Sequence, residues 1–138
     1  MKLVIYWSGT GNTEIMAQEI HKALEDSKLL YVSEVDLEDV RKADGLALGC
    51  PAMGAEVLEE GEMEPFMEEI EGLIKDKKIV LFGSYDWGDG QWMREWEDRI
   101  KEAGANLLQE GLIVQNTPTE DDLNLCRSLG KNLANVPL

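Results

Sequence analysis

The stretch Lys2-Leu3-Val4-Ile5-Tyr6-Trp7-Ser8-Gly9-Thr10-Gly11-Asn12-Thr13-Glu14 runs from a continuous apolar segment through turn chemistry into the start of a helix. A short apolar run without polar alternation is the pattern of a strand covered on both faces in a parallel sheet. From Glu14 onward, Ile15, Met16, Ile20, Ala23 and Leu24 follow helical spacing. Strand, tight loop and helix form the repeating unit of an α/β fold.

The pattern recurs along the chain. Leu29 to Val35 is predicted as a second strand, Leu46 to Cys50 as a short third and Lys78 to Ser84 as a fourth. Met63 to Leu73 is predicted as a helix that takes Pro65 in its first turn. Trp92, Met93, Trp96, Ile100 and Ala103 make one helical stripe, closed by Gly104. Leu107 to Val114 is predicted as a fifth strand with Gly111 as a breaking point, and Glu120 to Ala134 as a last helix capped by Thr119. Such alternation calls for an α/β three-layer sandwich: a five-stranded parallel sheet, doubly wound, with right-handed crossovers.

With 138 residues the chain is expected to build one core, as a single domain over residues 1–138. Apolar residues make up 43% and charged residues 30%, which suits a globular domain and excludes a disordered acidic tail. The 28 Asp and Glu outweigh 13 Lys and Arg, giving a net charge of −15. That field repels phosphate backbones and anionic membrane surfaces and favours partners with basic surfaces. No apolar run approaches the roughly 20 residues of a spanning helix, and Met1-Lys2-Leu3 leads into a strand-like run instead of a signal peptide, so a cytoplasmic protein is expected. Cys50 and Cys126 lack CxxC spacing, and the acidic run Glu56 to Glu71 has no partner His at ligand spacing. Neither a redox dithiol nor a metal site is suggested.

In open α/β sheets ligands bind beyond the carboxyl ends of the strands, where strand order reverses. Ser8-Gly9-Thr10-Gly11-Asn12-Thr13 offers backbone N–H groups and short hydroxyls at a helix mouth, the chemistry of a phosphate nest. It is neither a Walker loop nor GxGxxG, and it has no Lys or Arg. The same hydroxyls serve equally as helix caps, so this segment alone leaves both readings open. After the third strand comes Cys50-Pro51-Ala52-Met53-Gly54-Ala55-Glu56, and after the fourth Tyr85-Asp86-Trp87-Gly88-Asp89-Gly90. Trp92 and Trp96, four apart on a helix, are expected in the core. Trp87, between Asp86 and Gly88 in a loop, is a candidate to stack on a planar ligand. Together the loops describe a ligand with one phosphate and a flat, hydrogen-bonding ring.

Four segments, Tyr6 to Glu14, Gly49 to Gly54, Leu81 to Tyr85 and Val114-Gln115-Asn116, resemble the short-chain flavodoxins of anaerobic bacteria. The likeness covers essentially the whole chain. Flavodoxins are themselves a standard case of the switch-point rule, so the fold order 2-1-3-4-5 and the placement of FMN come from the resemblance. It implies that Ser8, Thr10, Asn12 and Thr13, with the amides of Gly9 and Gly11 between them, hold the FMN phosphate. The ribityl chain is implied near Pro51, Ala52, Gln115 and Asn116. The isoalloxazine is implied between Met53 and Trp87, with Glu56 accepting from ring N3. Amides of the loop Tyr85, Asp86, Trp87 and Gly88 are implied to face N1 and O2, and Ser84 is counted with them. The Gly54-Ala55 peptide is implied to turn its carbonyl toward N5. Asp86 departs from the family, where glycine is common.

The resemblance thus implies a low-potential one-electron carrier with non-covalent FMN, monomeric and not an enzyme, serving redox partner proteins. No nucleophile with a paired base stands against that. The alternative is an FMN-dependent NAD(P)H:quinone-type reductase, which needs an open pocket over the flavin that Met53 and Trp87 are expected to close. A phosphorylation receiver of the same fold needs acidic residues where Trp7-Ser8 and Cys50-Pro51 stand, and is set aside.

Overall fold

The computed structural model describes residues 1–134. The strands are β1 (Lys2–Tyr6), β2 (Ser27–Tyr31), β3 (Gly45–Gly49), β4 (Lys78–Tyr85), β5 (Asn106–Leu107) and β6 (Leu112–Gln115). The helices are α1 (Asn12–Lys22), α2 (Leu37–Lys42), α3 (Met63–Ile70), α4 (Gln91–Glu102) and α5 (Glu120–Ala134). All strands pair in parallel in the order β2-β1-β3-β4-β5, and β6 continues the β5 position along β4. The expected doubly wound sheet is therefore present, its fifth position filled by two short strands that flank residues 108–111.

Alternation along each strand divides the core. Leu3, Ile5, Leu46, Leu48, Ile79 and Leu81 face a layer built on α3 and α4, where Trp92 and Trp96 are buried as expected. Val4, Tyr6, Ala47, Val80 and Phe82 face α1 and α5 through Met16, Ile20, Cys126 and Leu129. Burying a side chain of this size contributes about 1.5–3 kcal/mol, so the two faces hold the sheet between two helical layers.

Two boundaries and one short helix differ from the sequence reading. The second strand ends at Tyr31, because Val32–Glu34 form a 3-10 turn closed by Glu34, whose carboxylate accepts from the Tyr31 N–H at 2.8 Å. Helix α2 was not foreseen: it has only six residues, too few for a periodic signal, and is started by Asp36, which accepts from Glu38 N–H at 2.9 Å. Helix α3 ends at Ile70, three residues early. At the other end, Thr119 caps α5 as expected. Its hydroxyl accepts from the Asp122 N–H at 3.2 Å while the Asp122 carboxylate accepts from the Thr119 N–H at 2.9 Å.

Strand register brings the carboxyl ends to one edge. Tyr6 lies opposite both Tyr31 and Gly49, Gly49 opposite Phe82, and Tyr85 opposite Gln115. The loops after β1, β3, β4 and β6 consequently emerge side by side.

Candidate functional site

The loop after β1 is shaped by Ser8. Its Oγ accepts from the N–H groups of Gly11 at 3.1 Å and Glu14 at 3.3 Å, bending residues 8–11 over the mouth of α1. Gly11 takes a left-handed φ of 99° there. Among the described residues, the N–H groups of Gly9, Thr10, Asn12 and Thr13 donate to no protein acceptor. Free amides converging at a helix N-terminus, with no nearby cation in the loop, make a nest for an anion. Thr13 is buried, and its Oγ1 is 2.9 Å from Ser84 Oγ and accepts from the Ser84 N–H at 3.4 Å.

The loop after β3 begins with two ladder extensions, Cys50 N–H to Phe82 carbonyl at 3.1 Å and Ala52 N–H to Ser84 carbonyl at 3.0 Å. Trp92 Nε1 donates to the Cys50 carbonyl at 3.1 Å, tying α4 to the end of β3. Gly83 permits this approach, since a Cβ there would lie 2.1 Å from the Cys50 carbonyl oxygen. Next, Met53 and Val57 exchange two backbone hydrogen bonds, 2.9 and 3.0 Å, that close a hairpin around Gly54, Ala55 and Glu56. Gly54 and Glu56 both have positive φ, 49° and 57°. Glu56 holds its unusual conformation while its Oε1 accepts from Gly90 N–H at 3.2 Å.

Behind the hairpin, the Glu59 carboxylate accepts from the N–H groups of Gly61 at 2.6 Å, Glu62 at 2.8 Å and Met63 at 2.9 Å. This cap for α3 went unrecognised in the sequence, where Glu59 looked like one more solvated carboxylate in an acidic run. Gly90 was missed as well, because only the fold reveals its N–H as the partner of Glu56.

Thr10, Asn12, Ala52, Gly54, Glu56, Ser84, Tyr85, Asp86 and Trp87 line one cleft of about 90 Å³. Ser8, Gly9, Gly11 and Thr13 shape the nest beside it, and Pro51, Met53 and Gly88 flank the lining residues in the chain. Gln115 and Asn116 stand outside the cleft, exposed and bonded to the backbone of Asp86 and Tyr85. The cleft is far below the roughly 300 Å³ of an enclosing ligand pocket. Trp87, 64% exposed, offers its indole at the mouth of the cleft. A larger hollow of about 350 Å³ lies at Lys2, Leu24 and Lys131, at the opposite end of the sheet from the nest. No group of three or more His, Cys, Asp or Glu able to hold a metal occurs among the described residues. No described helix is long and apolar enough to cross a membrane.

Fold and cleft together define the mononucleotide-binding class of doubly wound α/β proteins. The model of the Flavodoxin family matches residues 4–130, and the chain belongs to the flavodoxin family, whose members bind FMN and transfer electrons. It is 49% identical to the flavodoxin of Clostridium beijerinckii, over 96% of this chain and 99% of that one. It is also similar to the flavodoxin of Megasphaera elsdenii, at 42% identity over 95% of this chain and 96% of the other. The solution structure of two-electron reduced Megasphaera elsdenii flavodoxin superposes with a TM-score of 0.89 at 40% identity, covering 99% of this chain and all 100% of that one. The residues present fit FMN: unpartnered amides for a phosphate, an exposed indole for a ring, and a carboxylate at Glu56 for a ring N–H.

Proposed function

We propose that the chain holds FMN with its phosphate in the Ser8–Thr13 nest and its ring across the cleft beside Trp87, and hands single electrons to partner proteins at low potential. The observation that carries this reading is the convergence of the free amides of Thr10 and Asn12 with Trp87 and Glu56 around one cleft. Bound there, FMN supplies reversible one-electron uptake and release.

The protein's own work is to bind, orient and shield. Neutral dipoles at the mouth of α1 hold the phosphate without a cation. Met53 and Trp87 flank the ring, with Pro51, Ala52 and Asn116 beside the ribityl chain. Glu56 takes a ring proton donor in exchange for, or alongside, the Gly90 amide it accepts from here. Gly54, at φ 49° with open space where a Cβ would stand, leaves the Gly54-Ala55 peptide able to turn at little cost. Asp86 sets a negative charge beside the ring's mouth. Electrons leave through the exposed edge toward a partner whose basic surface complements the acidic loops, the chain acting as a cytoplasmic monomer without catalysing a reaction of its own.

Titration of the flavin-stripped chain tests this assignment. FMN is expected to bind far more tightly than riboflavin, since the nest contributes only to a phosphorylated ligand. Equal affinities would remove the phosphate site. The purified protein is expected to oxidise almost no NAD(P)H by itself, whereas steady turnover with a quinone would favour the reductase reading.

A further inference from the structure

Gln115 closes β6 and lies exposed outside the cleft, yet its side-chain amide donates to the backbone carbonyl of Asp86 at 3.1 Å. One residue later the Asn116 N–H donates to the Tyr85 carbonyl at 2.8 Å, with Asn116 itself left-handed at φ 59°. Two successive carbonyls, of the last residue of β4 and the first of the loop after it, are thereby pinned from the end of β6 and the residue that follows.

In a trans peptide the carbonyl and the following N–H point in opposite directions, and no peptide bond among the described residues is cis. Holding the Asp86 carbonyl on Gln115 therefore turns the Trp87 N–H away from Gln115. The cleft, where Ala52, Gly54 and Glu56 face Asp86 and Trp87, excludes Gln115 from its lining. Among the described residues the Trp87 N–H donates to no protein acceptor. A donor aimed in advance needs no ordering when its acceptor arrives.

We propose that Gln115 is a positioning residue: it aims the Trp87 N–H at the flavin ring and is not a contact of the ribityl chain. The proposal rests on the FMN reading above and assigns part of its ring recognition to a side chain that never touches the ring. Without Gln115 the Asp86-Trp87 peptide loses the one hydrogen bond that holds it among the described residues. The donor then has to be frozen as the ligand binds.

The test compares FMN with lumiflavin, which has the ring but neither ribityl chain nor phosphate. Full-length chain stripped of flavin is titrated with each as wild type, as Gln115→Met, which matches the length without a donor, and as Gln115→Glu, which keeps the shape. The expected result is a loss of about fivefold for both ligands in both variants, the worth of one hydrogen bond. In the FMN-loaded protein the Trp87 amide proton resonance is expected to move upfield. Loss of FMN affinity with lumiflavin binding and the Trp87 resonance unchanged would assign Gln115 to the ribityl chain and overturn the proposal. Failure of the wild-type chain to bind FMN would overturn the functional reading together with it, and shows in the first titration before any variant is compared.

Discussion

Thr13 and Ser84, 71 positions apart, meet with their hydroxyl oxygens 2.9 Å from one another, and the Ser84 N–H also donates to Thr13 Oγ1 at 3.4 Å. The first turn of α1 is thereby fastened to the carboxyl end of β4. Nest and cleft are thereby joined, with Ser84 lining the cleft and Thr13 carrying the last amide of the nest.

Thr13→Val keeps the shape and removes the hydroxyl, leaving the Ser84 side chain and N–H buried and unpaired. The loss is expected to be about 1–3 kcal/mol, read as a lower midpoint in urea at unchanged slope. FMN affinity is expected to fall more than riboflavin affinity, because the nest is displaced. An unchanged midpoint would show that water or a rotated Ser84 replaces the bond at no cost.

Asp86 is expected to make the second electron harder to add. At roughly 8 Å and an effective dielectric near 40, a negative charge beside a newly negative ring costs about 1 kcal/mol. For a one-electron couple this is about 40 mV. Asp86 is exposed, so solvent screening sets that figure as an upper value. Asp86→Asn is expected to raise the second couple and leave the first nearly unchanged in a redox titration. No upward shift would mean that the carboxylate points away into water.

Charge is sorted along the strands. Lys2, Lys28 and Lys78 lie at or near the starts of β1, β2 and β4, while Lys22, Lys42 and Lys101 lie at or near helix ends. The loops of the opposite edge, residues 7–11, 50–62, 86–90 and 116–119, contain no Lys or Arg but include Glu56, Glu59, Glu60, Glu62, Asp86 and Asp89. Arg94 reaches back only to pair with Asp89 at 3.0 Å. Transfer to a basic partner is therefore expected to slow steadily as salt rises, most where the Debye length falls below about 10 Å. Stopped-flow rates flat across ionic strength would remove electrostatic steering.

Burial pushes the Cys50 and Cys126 thiols up from 9.0 to about 12. A thiol raised in the folded state contributes stability that is complete below pH 9.0, where the unfolded chain also keeps its proton, and is lost between there and pH 12. The denaturation midpoint is expected to fall across that alkaline window, and a disulfide reagent near pH 8 is expected to label neither thiol until the chain opens. Rapid labelling of native protein would contradict the packing around both residues.

The alternation of β1, α1, β3, α3, β4, α4 and α5 was legible because each buried strand is an unbroken apolar run and most of the helices carry a long apolar stripe. Elements that escaped were set by single local bonds: Asp36 starting a six-residue helix, Glu34 ending β2 early. In the site, the nest and Trp87 announce themselves through glycine, hydroxyl and loop position. The links between loops, Glu56 to Gly90 and Gln115 to Asp86, join positions 34 and 29 residues apart and leave no trace in local pattern.

The most direct measurement is a spectroscopic redox titration of the purified full chain loaded with FMN. One flavin per chain, taking up its first electron at a distinctly higher potential than its second and staying oxidised under NAD(P)H, is the result this account predicts. A chain that binds no FMN, or one whose flavin is reduced rapidly by NAD(P)H in a single two-electron step, would contradict it.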